Sequence, residues 1–207
     1  MEQFDRERQA DLDRAMAQPG ATADEVIAAA AQPADVPMQG WPWPLYRPYV
    51  ALALEYRLPL VAANVSRLDA RRIAADGLAA HGFDGRVPHD VAAGQTRAIV
   101  ESHCGLVNAA QAGSLVAAQV ARDQFMARAV EAHATRGAVL LAGNGHVRTD
   151  LGVPRWLTPA TRARSVSIGL LEGSRTTEAP PYDRAVATPA QPRSDPCEGV
   201  TMPRAGG

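Results

Sequence analysis

Apolar residues fall in short blocks along this chain, and the spacing between blocks predicts parallel α/β architecture. Leu58 to Val65, "LPLVAANV", is an apolar run with the pattern of a strand covered on both faces. It leads directly into Ser66-Arg67-Leu68-Asp69, which has capping-box spacing, and then into an Ala/Arg-rich helix ending near Gly77. Strand, cap and helix in that order are the grammar of a parallel sheet. Ala138–Ala142 and Ser165–Leu171 predict further strands, and Ala112–Ala134 is the longest helical pattern. Shorter helices are expected at Asp5–Ala17, at Ala23–Ala31 behind the Thr22 to Glu25 capping box, and at Thr96–His103 after a loop, "HGFDGRVPHDVAAGQ". The fold class expected is α/β, a mostly parallel central sheet flanked by helices.

Two stretches break the pattern. Gln32 to Tyr49 packs five prolines and four large aromatics, which predicts no regular structure before about Pro48 and a helix from there to Tyr56. From Gly173 onward Pro, Thr, Arg and Ser dominate, with an edge strand expected over Ala185–Ala187. The chain therefore divides into a domain at 1–172 and a tail at 173–207. "MEQF" at the start reads as the end of a strand that begins upstream.

Charge narrows the function classes. The 21 basic residues, all Arg, meet 22 acidic ones for a net charge of −1, so neither a nucleic-acid footprint nor a polybasic membrane anchor is expected. No run approaches the ~18 apolar residues of a membrane span, and the first thirty residues hold no basic-then-apolar leader; as written, the chain is expected to be soluble, without an export signal. Cys104 and Cys197 are too few for a metal knuckle or a disulfide framework; one bridge or two thiols are open, and two free thiols are expected.

Candidate chemistry gathers at strand ends, where ligands of open parallel sheets sit. In "LLAGNGHVRTDLGVPRWL" an apolar run stops at Gly143-Asn144-Gly145, whose glycines permit a sharp turn with positive φ, and His146 and Arg148 follow. His146 either faces a pocket or is an incidental surface residue after a turn. On the long helix Gln119, Arg122, Asp123 and Met126 share one face, which is a solvated side or a polar patch aimed into a site. His103 and Cys104 are adjacent and diverge, so they make a poor nucleophilic pair. Trp41, Trp43, Tyr46 and Tyr49 with Arg47 among them either bind a planar anionic ligand or pack a Pro-stiffened loop on the core; Tyr can also ligate ferric haem.

Several segments together, in order, resemble one family: "MEQFDRERQADLD", "GWPWPLYRPYVALA", "LPLVAANVSR", "HCGLV" with "AAQVARDQFMA", "LLAGNGHVRTDLGVPRWL" and "YDRAVATPAQPRSDPCE". They cover nearly the whole chain and resemble the ChaN-like haem-binding proteins, often called uncharacterised haem-binding lipoproteins. The resemblance implies a central-sheet α/β fold distantly similar to the Tiki, TraB and erythromycin esterase-like proteins. It further implies haem as cofactor, held through a tyrosine with a histidine from a partner subunit, hence a homodimer, and a role in iron acquisition at the bacterial envelope. Tyr46 is taken as the iron ligand, ahead of Tyr49 and Tyr182, with Trp43, Arg47, His103, His146 and Arg148 lining the site. Gly143-Asn144-Gly145-His146 matches the Gly-x-x-His motif of the wider group, and Glu2 its acidic position.

The family also has an earlier strand ending in a Gly-Glu-x-His type motif, behind a signal or lipoprotein segment. Nothing here corresponds to either, so the chain reads as truncated at its N-terminus, with one wall of the site missing. A periplasmic or outer-membrane setting is implied if the true start lies upstream. Three functions follow: a haem-binding protein, which the resemblance favours over an enzyme; a hydrolase, with Glu2 and His146 as acid–base or metal-binding partners and Gln119 and Arg122 orienting substrate; or a truncated product without a competent site.

Overall fold

The structure is a computed structural model and describes residues 1–31, 41–104, 106–173, 180–192, 194, 195, 197 and 198. Its helices are α1 (Gln9–Met16), α2 (Ala23–Ala30), α3 (Trp43–Glu55), α4 (Arg67–Asp76), α5 (His89–Ser102), α6 (Ala109–His133), α7 (Asn144–Val147) and α8 (Pro159–Arg162). The regular strands are β1 (Ile168–Glu172) and β2 (Arg184–Thr188), paired in parallel with Ile168 opposite Arg184. No helix among the described residues is long and apolar enough to cross a membrane.

The centre of the molecule differs from the expectation of strands at Leu58–Val65 and Ala138–Ala142. Both segments are extended, but neither forms a regular ladder. Met1 to Asp5 lies between them: the Ala63 amide donates to the Met1 carbonyl (3.0 Å), the Asn64 amide to Phe4 (3.1 Å), and the Glu2 amide to Leu141 on the other side (3.0 Å). A 3₁₀ turn at Arg6–Arg8 takes over directly after this middle segment. The direction is still parallel, with Asp5 bridged to Asn64.

Alternation along these segments explains the layers. Ala62 joins Phe4, Leu12, Val26 and Val50 in a cluster with α1, α2 and α3, whereas its neighbour Ala63 joins Met126, Val153 and Leu157 on the other side. A third cluster, around Val65, Ile73, Phe83, Val116 and Val120, fixes α4 and α5 against α6. Buried Phe, Leu and Val side chains contribute roughly 1.5–3 kcal/mol each to such clusters.

Three further expectations are corrected. Regular structure begins at Trp43 rather than Pro48, because Pro44 occupies the first turn, where no amide is needed, and Trp43 packs on Phe4 with ring centroids 5.2 Å apart; Gln32–Gly40 of the predicted irregular stretch lies outside the described residues. The helix expected from Thr96 starts at His89, within the stretch expected to be loop, and Gly94 lets Leu151 pack closely, since a Cβ there would lie 2.4 Å from Leu151 Cδ2. The cysteines are not free thiols: Cys104 and Cys197 form a disulfide, S–S 2.04 Å, that ties the α5–α6 connection to the tail 93 residues later. Sequence distance carried no information about this proximity, which the tail creates by folding back. Cross-links of this kind stabilise chiefly by restricting the unfolded chain, so reduction, or Cys197→Ser, is expected to cost about 2–4 kcal/mol. Urea unfolding with and without reductant measures this; superimposable curves would contradict the cross-link.

Candidate functional site

The site is built where the extended segments end. After Leu141 the chain turns at Gly143, whose φ of −60° and ψ of 150° lead into the single turn of α7. Neither Gly143 nor Gly145 has the positive φ expected from the sequence; the turn is made by starting a helix. That turn swings His146 inward, where it is 7% exposed.

The imidazole is held on both edges. His146 Nδ1 lies 2.6 Å from Asp123 Oδ1, and Nε2 lies 3.4 Å from Glu2 Oε1. Glu2 is oriented by the Gly143 amide, which donates to its Oε2 at 2.6 Å. Asp123 is fully buried, and its Oδ2 accepts from Gln95 Nε2 at 3.3 Å. The Gln119 side-chain amide sits 3.2 and 3.3 Å from the two ring nitrogens.

Electrostatics decide the protonation of this cluster. Burial works to lower the His146 pKa, but hydrogen bonds and charge from Asp123 and Glu2 outweigh it and raise it from 6.5 to about 9. Burial pushes Asp123 up to about 6, against the pull of His146. Burial also works to raise Glu2, yet His146, the Gly143 amide and Arg122 together hold it below its ordinary value. Both carboxylates therefore flank an imidazolium at neutral pH. An imidazolium donates from both nitrogens, here toward Asp123 and Glu2.

The polar stripe on α6 faces this site rather than solvent. Gln119 and Asp123 meet His146, Met126 is buried behind them, and Arg122 Nε donates to the Val65 carbonyl at 3.3 Å. Tyr46 is half-buried, edge-on to Trp41 and Trp43 at 5.5 and 6.4 Å between centroids. Its pKa is raised by burial first and then by the charge of Glu2, with a hydrogen bond to the Gln3 side chain opposing, which places the phenol beside the strand end that carries Glu2.

Other predicted residues are engaged elsewhere. Trp43 packs on Phe4 and serves the core. Arg47 is exposed and forks onto Asp24 of α2 at 2.7 and 2.9 Å. His103 is exposed, its Nδ1 2.7 Å from the Ile99 carbonyl of its own helix. Arg148 forks onto Asp150 at 2.9 and 2.7 Å, on the outer side of the α7 loop. Tyr182 donates to the Asn144 carbonyl at 3.3 Å, its ring lying over Gly169. Among the described residues no group of three or more His, Cys, Asp and Glu is arranged to hold a metal ion.

Three residues of the site carry little signal in the sequence. Asp123 is visible there only as part of the stripe, and Gln95 falls in the segment expected to be loop. Gly152 has no signal, yet a Cβ there would lie 2.2 Å from the His146 carbonyl oxygen.

A family model described as haem-binding uptake, Tiki superfamily, ChaN matches residues 1–157. The chain belongs to this family. A solved structure of ChaN of Campylobacter jejuni, described with cofacial haem binding, superposes with a TM-score of 0.65 at 22% identity, covering 87% of this chain and 70% of that one. That likeness establishes an α/β ChaN-like fold. No curated protein matches the chain. Within the ChaN family frame, the Glu2, Asp123 and His146 cluster occupies the carboxyl ends of the parallel segments, the edge at which such folds bind ligands.

Proposed function

We propose that this chain binds haem at the carboxyl ends of its parallel segments, with Tyr46 as the candidate iron ligand. The observation that carries the reading is the family model over residues 1–157. The residues present fit the group: a half-buried phenol beside the Trp41 ring offers an oxygen ligand with an apolar neighbour, and the amide oxygen Gln3 Oε1 is buried without a partner. Haem would supply a ferric centre that accepts an oxygen ligand, together with two carboxylates. The Tyr46 proton, held on by burial and by Glu2, would have to leave for the oxygen to bind iron strongly.

The expected result of titrating ferric haem is a Soret shift that saturates, weakened at least tenfold by Tyr46→Phe and unaffected by Tyr182→Phe. Absence of a shift removes the reading; loss with Tyr49→Phe instead would reassign the ligand. No observation favours hydrolysis: His146 is already charged and engaged at both nitrogens, a poor state for a general base.

The envelope setting, with a role in iron handling and attachment as a lipoprotein, belongs to the same proposal. The Cys104–Cys197 disulfide supports an oxidising compartment. A homodimer is supported by α3, which turns Leu45, Tyr49 and Leu52 outward along one stripe that Tyr56 continues just past its end. Light scattering with and without haem measures the mass; a monomer in both states would sink the dimer.

A further inference from the structure

We propose that Arg122, with Arg67 beside it, forms a carboxylate-binding subsite. The proposal rests on the haem-binding reading and assigns the anionic edge of the ligand to the side of the site formed by α6 and the start of α4.

Placement comes first. The single bond from Arg122 Nε to the Val65 carbonyl brings the guanidinium to the end of the 58–65 segment, one residue before Ser66 caps α4. Arg67 is the first residue of α4 and is exposed. The two like charges are close enough that Arg67 helps hold the Arg122 pKa below its ordinary value, behind the larger effect of burial. The Arg122 guanidinium thus sits near the start of α4, whose first turn carries Arg67 and also Asp69, the latter already paired with Arg6.

Occupancy is the second observation. Among the described residues, the Nη nitrogens of Arg122 make no hydrogen bond, and no carboxylate lies within 4.0 Å of them. Other partly buried arginines behave differently: Arg6 pairs with Asp69, Arg148 with Asp150, and Arg155 with Asp90. Three carboxylates do lie near enough to Arg122 to stabilise its charge, namely Glu2, Asp5 and Asp123. Glu2 is engaged by the Gly143 amide and His146, and Asp123 by His146 and Gln95, while Asp5 accepts from Asn64 Nδ2 at 2.6 Å through Oδ1 and keeps a buried Oδ2 without a partner. The cluster thus keeps Arg122 charged without occupying its donors.

Chemistry selects the ligand class. A guanidinium offers two parallel N–H donors in a plane, which match the two oxygens of a carboxylate. The haem propionates are the carboxylates that the proposed ligand carries. Tyr46 and Arg122 both feel the charge of Glu2, so the ligand's iron and its acidic edge would be addressed from two elements around one strand end.

The test compares ferric protoporphyrin IX with its dimethyl ester, which has no propionate charge, by Soret titration. Wild type is expected to favour the free acid by about ten- to hundredfold. Arg122→Gln should bring the two affinities together by weakening only the acid, Arg122→Lys should retain part of the preference, and Arg67→Gln should reduce it. Circular dichroism of each variant shows whether it folds; if Arg122→Gln does not, the Lys and Arg67 variants decide. An unchanged acid-to-ester ratio in folded variants, or equal affinities in wild type, overturns the subsite while leaving haem binding intact. No Soret shift with either porphyrin overturns both.

Discussion

Asp123→Ala is expected to lower the stability of this protein by about 3–5 kcal/mol, the cost of breaking a buried ion pair by removing one partner. Asp123 is fully buried, and its carboxylate is shared between His146 and Gln95. Its loss leaves an imidazolium with Glu2 alone and a buried amide without that acceptor. Asp123→Asn keeps the shape and the contact with Gln95 but not the charge, and is expected to cost less. Urea midpoints measure both.

The same pair predicts a pH dependence with a definite sign. The folded His146 pKa, about 9, exceeds its ordinary value of 6.5, so its contribution is full below that value and is lost as pH rises through about 9. Asp123, raised from 3.8 to about 6, gives a contribution lost between those limits. The Met1 amino group, lowered by burial from 8.0 to about 6, acts oppositely and gains with pH between them. The uncontested window is therefore above about pH 8. Melting temperature should fall from about pH 8 to about 9.5 in wild type, and the fall should be much smaller in His146→Asn. A flat wild-type profile there would contradict the imidazolium.

Gly152→Ala is the second large effect expected, a loss of about 3 kcal/mol or more from overpacking against main chain. The added Cβ would sit 2.2 Å from the His146 carbonyl oxygen, 2.6 Å from its carbon and 2.9 Å from the Gly145 oxygen. These atoms cannot swing aside as a side-chain tip can, because the Gly152 amide donates to Arg148 and the His146 ring is fixed by Asp123. Relief would displace α7 and draw His146 out of its pair. Haem affinity should drop together with stability. Gly145→Ala is the control: a Cβ added there would meet nothing within 4 Å, so a change within about 0.5 kcal/mol is expected. Equal effects of the two variants would show that the close approach is unimportant.

What the sequence determined by itself is what local spacing encodes. The Thr22 to Glu25 capping box and the Ser66 cap form as expected, because their partners are three residues away. The α6 stripe was visible because helical period alone puts Gln119, Arg122 and Asp123 on one face. Tertiary structure decided which way that face points, since the choice between solvent and site depends on His146, 23 residues beyond Asp123. It likewise decided the pairing of Cys104 with Cys197, 93 residues apart, and the need for glycine at 152. It also set the state of the central segments, because a strand exists only where a neighbour supplies backbone partners. Caps and helical faces are local properties of the chain; charge, cross-links and sheet pairing arise from residues that only folding brings together.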